Sequence, residues 1–186
     1  MAGSCIVGGF VAFCVARLNA DGSLDQSFNA SAPPAERGTR VAQWPAGGYP
    51  AAMLLQPDQK IVQAGTCSDG SIQTLCALRL ASDGSVDTSF NGTGWALAPS
   101  VSGQSSQARA LALHPDGKLV LAGMALAAQQ RYAVVRFNSG GTLDTAFGSG
   151  GTASAVLGLY GGSPNAITVQ PDGRILVAGN CFAETG

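Results

Sequence analysis

The chain has 186 residues, of which 46% are hydrophobic, 11% are charged and 26 are glycine. So many hydrophobic residues exclude a disordered chain, and so little charge with so much glycine is typical of a protein rich in tight turns. The formal net charge of −1 gives no field that would attract nucleic acid or an anionic membrane.

The first sixteen residues carry no charge and could be taken for a signal peptide. They lack the basic start of such a peptide, and Gly8 and Gly9 divide the apolar stretch. They also fall in register with the repeat described next, so we assign them to its first unit. No apolar run in the chain approaches the roughly 20 residues of a membrane span.

Three short motifs recur in constant order along the chain. An Asp-Gly motif that ends in phenylalanine occupies residues 21–28 and 83–90, and it returns at 140–147 with glycine in its first place. A Pro-Asp turn occupies residues 57–60, 115–118 and 171–174, and an Ala-Gly pair follows each of these turns. The turns are separated by 58 and then 56 residues, so internal repetition determines the fold class.

Each unit contains four short segments that favour β-strands. In the most complete unit these are residues 110–113, 119–122, 132–137 and 152–157. Proline followed by Asp-Gly is typical of the hairpin turn between the first two strands, and no window shows a sustained helical period with caps. We therefore predict an all-β fold, a partial β-propeller of three four-stranded antiparallel repeats, with a parallel β-helix as the alternative.

The repeats place the whole chain, residues 1–186, in a single partial propeller. The units run approximately over residues 1–56, 57–114 and 115–170, and residues 171–186 start a fourth. Because closed propellers have four to eight blades, we expect an open arc with incomplete sheets at both ends. We expect the arc to be a fragment whose partners include further blades of its parent chain, with self-association of arcs as the alternative.

Over these motifs the chain resembles the bacterial delta-60 repeat family of β-propellers. Residues 170–179 read QPDGRILVAG and residues 16–25 read ARLNADGSLD, and the resemblance covers essentially the whole chain. It implies a β-propeller within a large secreted or surface protein of a bacterium. The family has no established catalytic residues, so the resemblance implies none here.

The cysteines follow the repeat but do not belong to the usual pattern of that family. Two pairs have nine-residue spacing across the hairpin of the second and third strands: Cys5 with Cys14, and Cys67 with Cys76. We expect the members of each pair to face each other across the hairpin and to form a disulfide. Unpaired buried thiols are the alternative, and the spacing does not fit a zinc site.

The third unit and the last cysteine bear on the same prediction. The third unit has alanine at both corresponding positions, Ala125 and Ala133, so the two cysteines are absent together. Cys181 begins another pair whose partner would lie beyond residue 186, and we expect it to be unpaired. Disulfides would place the protein outside the cytosol.

An arginine in the third strand recurs with an aspartate eight residues later. The pairs are Arg17 with Asp25, Arg79 with Asp87, and Arg136 with Asp144. We interpret them as structural ion pairs that tie the strand to the following turn. The alternative is a ring of arginines that lines a channel and binds an anion.

Other polar candidates have structural interpretations. His114, the one histidine, occupies the place of Gln56 and Gln170 in other units, which favours a residue beside a turn over a catalytic one. Asp21 and Asp83 fit turns in which the carboxylate accepts a backbone hydrogen bond, and they lack the further ligands of a calcium loop. We therefore predict no catalytic, metal or cofactor-binding residue.

Four aromatic residues lie in the variable segments between units: Trp44, Tyr49, Trp95 and Tyr160. They either fill the core or, on an exposed rim, contact a sugar or a peptide. The sequence favours a non-enzymatic module of a secreted or surface bacterial protein, extracellular or periplasmic, that binds an unknown protein or glycan. The alternatives are a structural spacer and a fragment of a hydrolase or lyase whose site lies on other blades.

Overall fold

A computed structural model describes residues 1–68, 70–101, 103–159 and 161–181. These residues form thirteen strands in four antiparallel sheets and one 3₁₀ turn, Pro34–Glu36. The first sheet contains β1 (Ala2–Val7), β2 (Phe10–Ala16) and β3 (Thr39–Ala42). The second sheet contains β4 (Gly48–Leu55), β5 (Ile61–Ser68), β6 (Gln73–Leu80) and β7 (Trp95–Leu97).

The second half of the chain repeats this order. The third sheet contains β8 (Ser106–Leu113), β9 (Leu119–Ala125), β10 (Arg131–Phe137) and β11 (Thr152–Ala155). The fourth sheet contains β12 (Gly162–Val169) and β13 (Ile175–Cys181). Consecutive strands pair within each sheet, and within the described part of the chain the first and fourth sheets do not pair. This confirms an all-β partial propeller that is open.

The three repeats of the sequence are distributed over two complete and two incomplete sheets. The second and third sheets have four strands each, the first has three and the fourth has two. The Pro-Asp turn joins the first and second strands of a sheet, so units counted from that turn begin inside a sheet. The strand β1 occupies the place in its sheet that β5 has in the second sheet. The strands β12 and β13 occupy the places of β4 and β5.

Apolar side chains fill the spaces between neighbouring sheets. Between the first and second sheets, Phe13 and Phe28 are fully buried beside Leu78. Between the second and third sheets, a second cluster is built from buried residues of both: Val62, Leu75, Phe90, Leu119, Leu121 and Phe137. Strands β5 and β6 are buried along almost their whole length because sheets cover both of their faces.

The loops that connect the strands lie on two opposite faces of the arc, and the two faces carry different loops. What we call the disulfide end carries the hairpins β1–β2 and β5–β6 and the segments that lead into β4 and β8. What we call the turn end carries the Pro-Asp turns and the Asp-Gly motifs. Near the disulfide end β4, β8 and β12 each contain a β-bulge, at residues 50–52, 108–110 and 164–166.

Candidate functional site

The three arginines lie beside the aspartates of their own repeats at the turn end. In each repeat the arginine Nε donates to the aspartate Oδ2 over 2.7 Å: Arg17 to Asp25, Arg79 to Asp87, and Arg136 to Asp144. Each guanidinium also lies over the phenylalanine ring that ends its Asp-Gly motif, 4.6 to 4.8 Å from the ring centre. The arginines are thus engaged within their repeats.

Two lysines that the sequence analysis missed each add a second cation to one of these pairs. Lys60 Nζ lies 3.1 Å from Asp87 Oδ2, and Lys118 Nζ lies 3.1 Å from Asp144 Oδ2. Burial by itself raises the pKa of Asp87, but hydrogen bonds from Ser89 and Lys60, with the charge of Arg79, outweigh it and lower this pKa to about 2. The recurrence of a basic residue at the end of the Pro-Asp turn was the available signal.

Two of the three arginines also join successive repeats. Arg17 Nη1 donates to the Ser82 carbonyl over 2.6 Å, and Arg79 Nη1 donates to the Ser139 carbonyl over 2.6 Å. Both acceptors lie in the Asp-Gly turn of the next repeat. We use the name inter-repeat clamp for this arginine–carbonyl hydrogen bond together with the contact between the phenylalanine of one repeat and a glycine of the next.

The phenylalanine of each clamp lies under a glycine of the next repeat. A Cβ on Gly84 would lie 2.8 Å from the ring of Phe28, and one on Gly141 would lie 2.8 Å from the ring of Phe90. Both glycines have positive φ angles of 88° and 91°. Only glycine therefore allows this close approach without strain.

Both predicted cysteine pairs are bonded, but the partners are not directly opposite each other. Cys5 is opposite Ala12 and Cys14 is opposite Gly3, so the bond joins diagonal neighbours two positions apart. The Cys67–Cys76 bond has the same offset, and the Cα–Cα distances are 6.1 and 5.8 Å. The expectation of facing residues was wrong because the hairpin register puts a small residue opposite each second cysteine.

Alanines replace the disulfide in the third sheet. Ala125 and Ala133 are fully buried and pack with Val101 in a small apolar cluster. Cys181 is exposed and unbonded in the described chain. A short apolar contact therefore occupies the place of the bond where the cysteines are missing.

The aromatic candidates separate into core and surface residues. Trp95 makes edge contacts with Phe13 and Trp44 at 5.0 and 5.4 Å, so both tryptophans belong to the packing between the first two sheets. Tyr49 is 54% exposed at the disulfide end, and Tyr160 lies outside the described residues. Among the aromatic candidates within the described residues, Tyr49 is thus the most exposed.

The polar candidates lie in turns. His114 Nδ1 is 2.6 Å from Asp116 Oδ1 beside the turn between β8 and β9. The carboxylate of Asp21 accepts hydrogen bonds from Ser23, and the carboxylate of Asp83 accepts them from Ser85. Across the described ranges, no three His, Cys, Asp or Glu side chains are grouped in a way that could hold a metal ion.

A groove of about 490 Å³ opens between the second and third sheets near the disulfide end. Its lining comes from β4, β5, β6 and β8: Tyr49, Pro50, Ala51, Thr66, Gln73, Gln107, Ala108 and Arg109. The bulges of β4 and β8 lie in its walls, and bulges re-aim side chains next to binding sites. The sequence analysis missed every lining residue except Tyr49.

One hydrogen bond ties the two walls of the groove together. The backbone N–H of Ala108 in β8 donates to Thr66 Oγ1 in β5 over 2.9 Å. Arg109 donates from Nη2 to Gln107 Oε1 over 3.3 Å, and none of the described lining residues is acidic. The groove therefore offers one aromatic ring, two amides and one cation on a fixed frame.

The family comparison matches the repeats. A family model described as "Domain of unknown function (DUF5122) beta-propeller" matches residues 2–28, 56–90 and 114–147, just over half of the chain. No curated protein matches the chain. None of the helical residues within the described part forms a helix long and apolar enough to cross a membrane.

Proposed function

The chain belongs to the DUF5122 β-propeller family, and on that premise we propose that it is a non-enzymatic module that binds a glycan. The binding site is the groove between the second and third sheets. The parent protein is secreted or displayed on the surface of a bacterium, as the resemblance to delta-60 repeats implies.

The composition of the groove is the observation that carries this proposal. Tyr49 is 54% exposed beside Gln73, Gln107 and Arg109. An exposed aromatic face packs against the apolar face of a sugar ring, because the ring buries its surface without losing its hydroxyl contacts at the rim. Amides and a guanidinium supply donors and acceptors that match neighbouring hydroxyl groups.

The walls of the groove are held in place before any ligand arrives. The Thr66–Ala108 hydrogen bond joins the two sheets, and the buried Cys67–Cys76 disulfide closes the hairpin beside Gln73. A site on a rigid frame loses little conformational freedom on binding, which favours affinity. Polar side chains on strands are therefore better placed for recognition than the same side chains on free loops.

The disulfides support a location outside the cytosol. Cytosolic thiols are kept reduced, whereas bonds of this kind persist in the periplasm and outside the cell. The two disulfides lie at the same position of the repeat, so disulfide formation is a recurring feature of this hairpin. Extracellular or periplasmic glycans are the sugars that such a module meets.

A glycan array followed by calorimetry on the bound oligosaccharide tests the proposal. We expect Tyr49→Ala and Gln107→Ala each to weaken binding at least tenfold, about 1.4 kcal/mol. Leu55→Ala is the matched control, since Leu55 is 58% exposed on the same strand but at the turn end. Absence of glycan binding, or binding that neither groove variant weakens, would overturn the proposal.

A structural spacer is the second candidate, and the inter-repeat clamp favours it. Arg17 and Arg79 each connect two repeats through a short hydrogen bond, which stiffens the arc along its length. A spacer needs stiffness but no ligand. The array distinguishes the two candidates, because a spacer should bind no glycan in the groove and the groove variants should therefore leave the array result unchanged.

A further inference from the structure

Arg109 differs from the arginines that hold the repeats together. It is the extra residue of the β8 bulge, and the residues at the same place in β4 and β12 are Ala51 and Asn165. Arginines with a structural role recur in every unit together with an aspartate, as Arg79 and Arg136 do. The repeat therefore does not require a cation at residue 109.

The guanidinium of Arg109 has no acidic partner among the described residues. It is exposed, and its one hydrogen bond there runs from Nη2 to the Gln107 amide on the same strand. Other arginines of the described chain form ion pairs with aspartates: Arg17, Arg79, Arg136 and Arg174. Because a guanidinium carries five N–H donors, Arg109 keeps most of its donors available to a ligand.

The groove is also remote from the acidic residues that the structure describes. These residues lie in the Pro-Asp turns, in the Asp-Gly motifs and, for Glu36, in the segment between β2 and β3, while Asp69 and Glu184 lie outside the described residues. Arg109 lies four residues before the end of β8 at Leu113, roughly 13 Å at about 3.3 Å per residue. Exposed charges further apart than about 8 Å are largely screened at physiological salt. The described part of the groove is therefore locally positive, although the chain has a net charge of −1.

On the premise of the proposed function, that the groove binds a glycan, we propose that this glycan is acidic and that Arg109 binds the carboxylate of a uronic acid. Two N–H groups of a guanidinium match the two oxygens of a carboxylate in parallel, charge-assisted hydrogen bonds. The Gln107 amide engages Nη2 and so restricts the orientation of the guanidinium. Tyr49 packs against the sugar ring, and the groove volume of about 490 Å³ lies within the roughly 300–1,000 Å³ of small-ligand sites.

Calorimetry with oligosaccharides of galacturonic, glucuronic and mannuronic acid, each compared with its neutral methyl ester, tests this proposal. The ester keeps the sugar ring and removes the charge. We expect at least one acid form to bind at least tenfold more tightly than its ester, and the difference to shrink as salt is added. Arg109→Gln should abolish the difference and leave binding of the ester unchanged. Arg109→Lys keeps the charge without the planar pair of donors, so it should restore the preference only in part.

Arg174→Gln is the matched control, since the Arg174 side chain is 79% exposed but lies at the turn end. It should keep the full preference for the acid form. Thermal unfolding should show that all three variants are folded, because the side chains that they replace are exposed.

The outcomes separate this proposal from the proposed function. If glycans bind with no preference for the acid over the ester, or if Arg109→Gln keeps the preference, the assignment of Arg109 is wrong and the glycan-binding groove stands. Binding of sulfated oligosaccharides but of no uronate would overturn the carboxylate as the ligand group. If no glycan binds at all, both proposals are wrong.

Discussion

Arg79 reaches from one repeat to the next and donates a 2.6 Å hydrogen bond from Nη1 to the Ser139 carbonyl. Its Nε binds Asp87 over 2.7 Å, and its guanidinium lies 4.6 Å from the centre of the Phe90 ring. Only 7% of the Arg79 side chain is exposed. One buried cation therefore holds a strand, its own turn and the following repeat together.

Removal of Asp87 should lower the free energy of unfolding, because it leaves the buried Arg79 guanidinium without a carboxylate partner. Asp87→Ala leaves Arg79 without its carboxylate, and breaking a buried pair costs about 3–5 kcal/mol. Asp25→Ala, at a pair whose arginine side chain is 36% exposed, should destabilise less. Urea unfolding of both variants measures the difference, and equal losses would show that burial of the pair is not what matters.

The Asp87 carboxylate predicts a loss of stability in acid. Its pKa is lowered from 3.8 to about 2 in the folded state, so it stabilises the fold above pH 3.8. That contribution, roughly 2 kcal/mol, is lost as the pH falls from about 4 through 2. We expect Asp87→Asn to be less stable than the unaltered chain at pH 5 and to lose less stability in acid. An unchanged pH profile in Asp87→Asn, with Asp172→Asn as control, would contradict this assignment.

Two glycines with the same backbone conformation separate local strain from contact between repeats. Gly22 and Gly84 have φ angles of 87° and 88°, but only Gly84 lies against a ring, that of Phe28. Both alanine variants should lose about 1–2 kcal/mol from the positive φ. Gly84→Ala should lose a further 1–3 kcal/mol, roughly, from overpacking. Similar melting temperatures for the two variants would argue against a tight inter-repeat clamp.

The third sheet provides a natural template for the removal of a disulfide. The double variant Cys67→Ala, Cys76→Ala copies the buried Ala125 and Ala133. Opening a loop of this length should cost about 2–3 kcal/mol in the loop-entropy model. Denaturant unfolding of the oxidised protein measures it. Reducing conditions also break the Cys5–Cys14 bond, so the unaltered chain should lose at least as much when reduced, and no loss in either case would mean that the bond is not formed in solution.

Repetition made much of the fold predictable. Residues that recur in every unit, such as Arg79 and Asp87, were predicted to have a structural role within the unit. The strands were predicted from turn signals on either side of β-forming segments. The offset within the disulfides was not predictable, because it depends on hairpin register. The covered glycines Gly84 and Gly141 carried a signal in their recurrence, but the carbonyl of Ser139 carried none.

The groove was beyond sequence reasoning for a physical reason. Tyr49, Gln73 and Arg109 lie on three strands of two sheets, and the bulges of β4 and β8 lie beside them; Pro50 marks the first of these bulges in the sequence, but no proline marks the second. Tyr49 was recognised as a candidate for exposure, but its companions were ordinary polar residues of strands. Packing between the sheets brings them together, and that packing appears only in three dimensions.

Mapping of backbone amide chemical shifts during titration with an oligosaccharide from the array tests the central claim most directly. We expect the largest changes at residues that line the groove, Tyr49, Thr66, Gln73 and Gln107, and little change around Arg79 and Asp87 at the turn end. The same titration of Tyr49→Ala should show these changes only at higher sugar concentration. Shifts concentrated at the turn end, or none at saturating sugar, would contradict a glycan-binding groove.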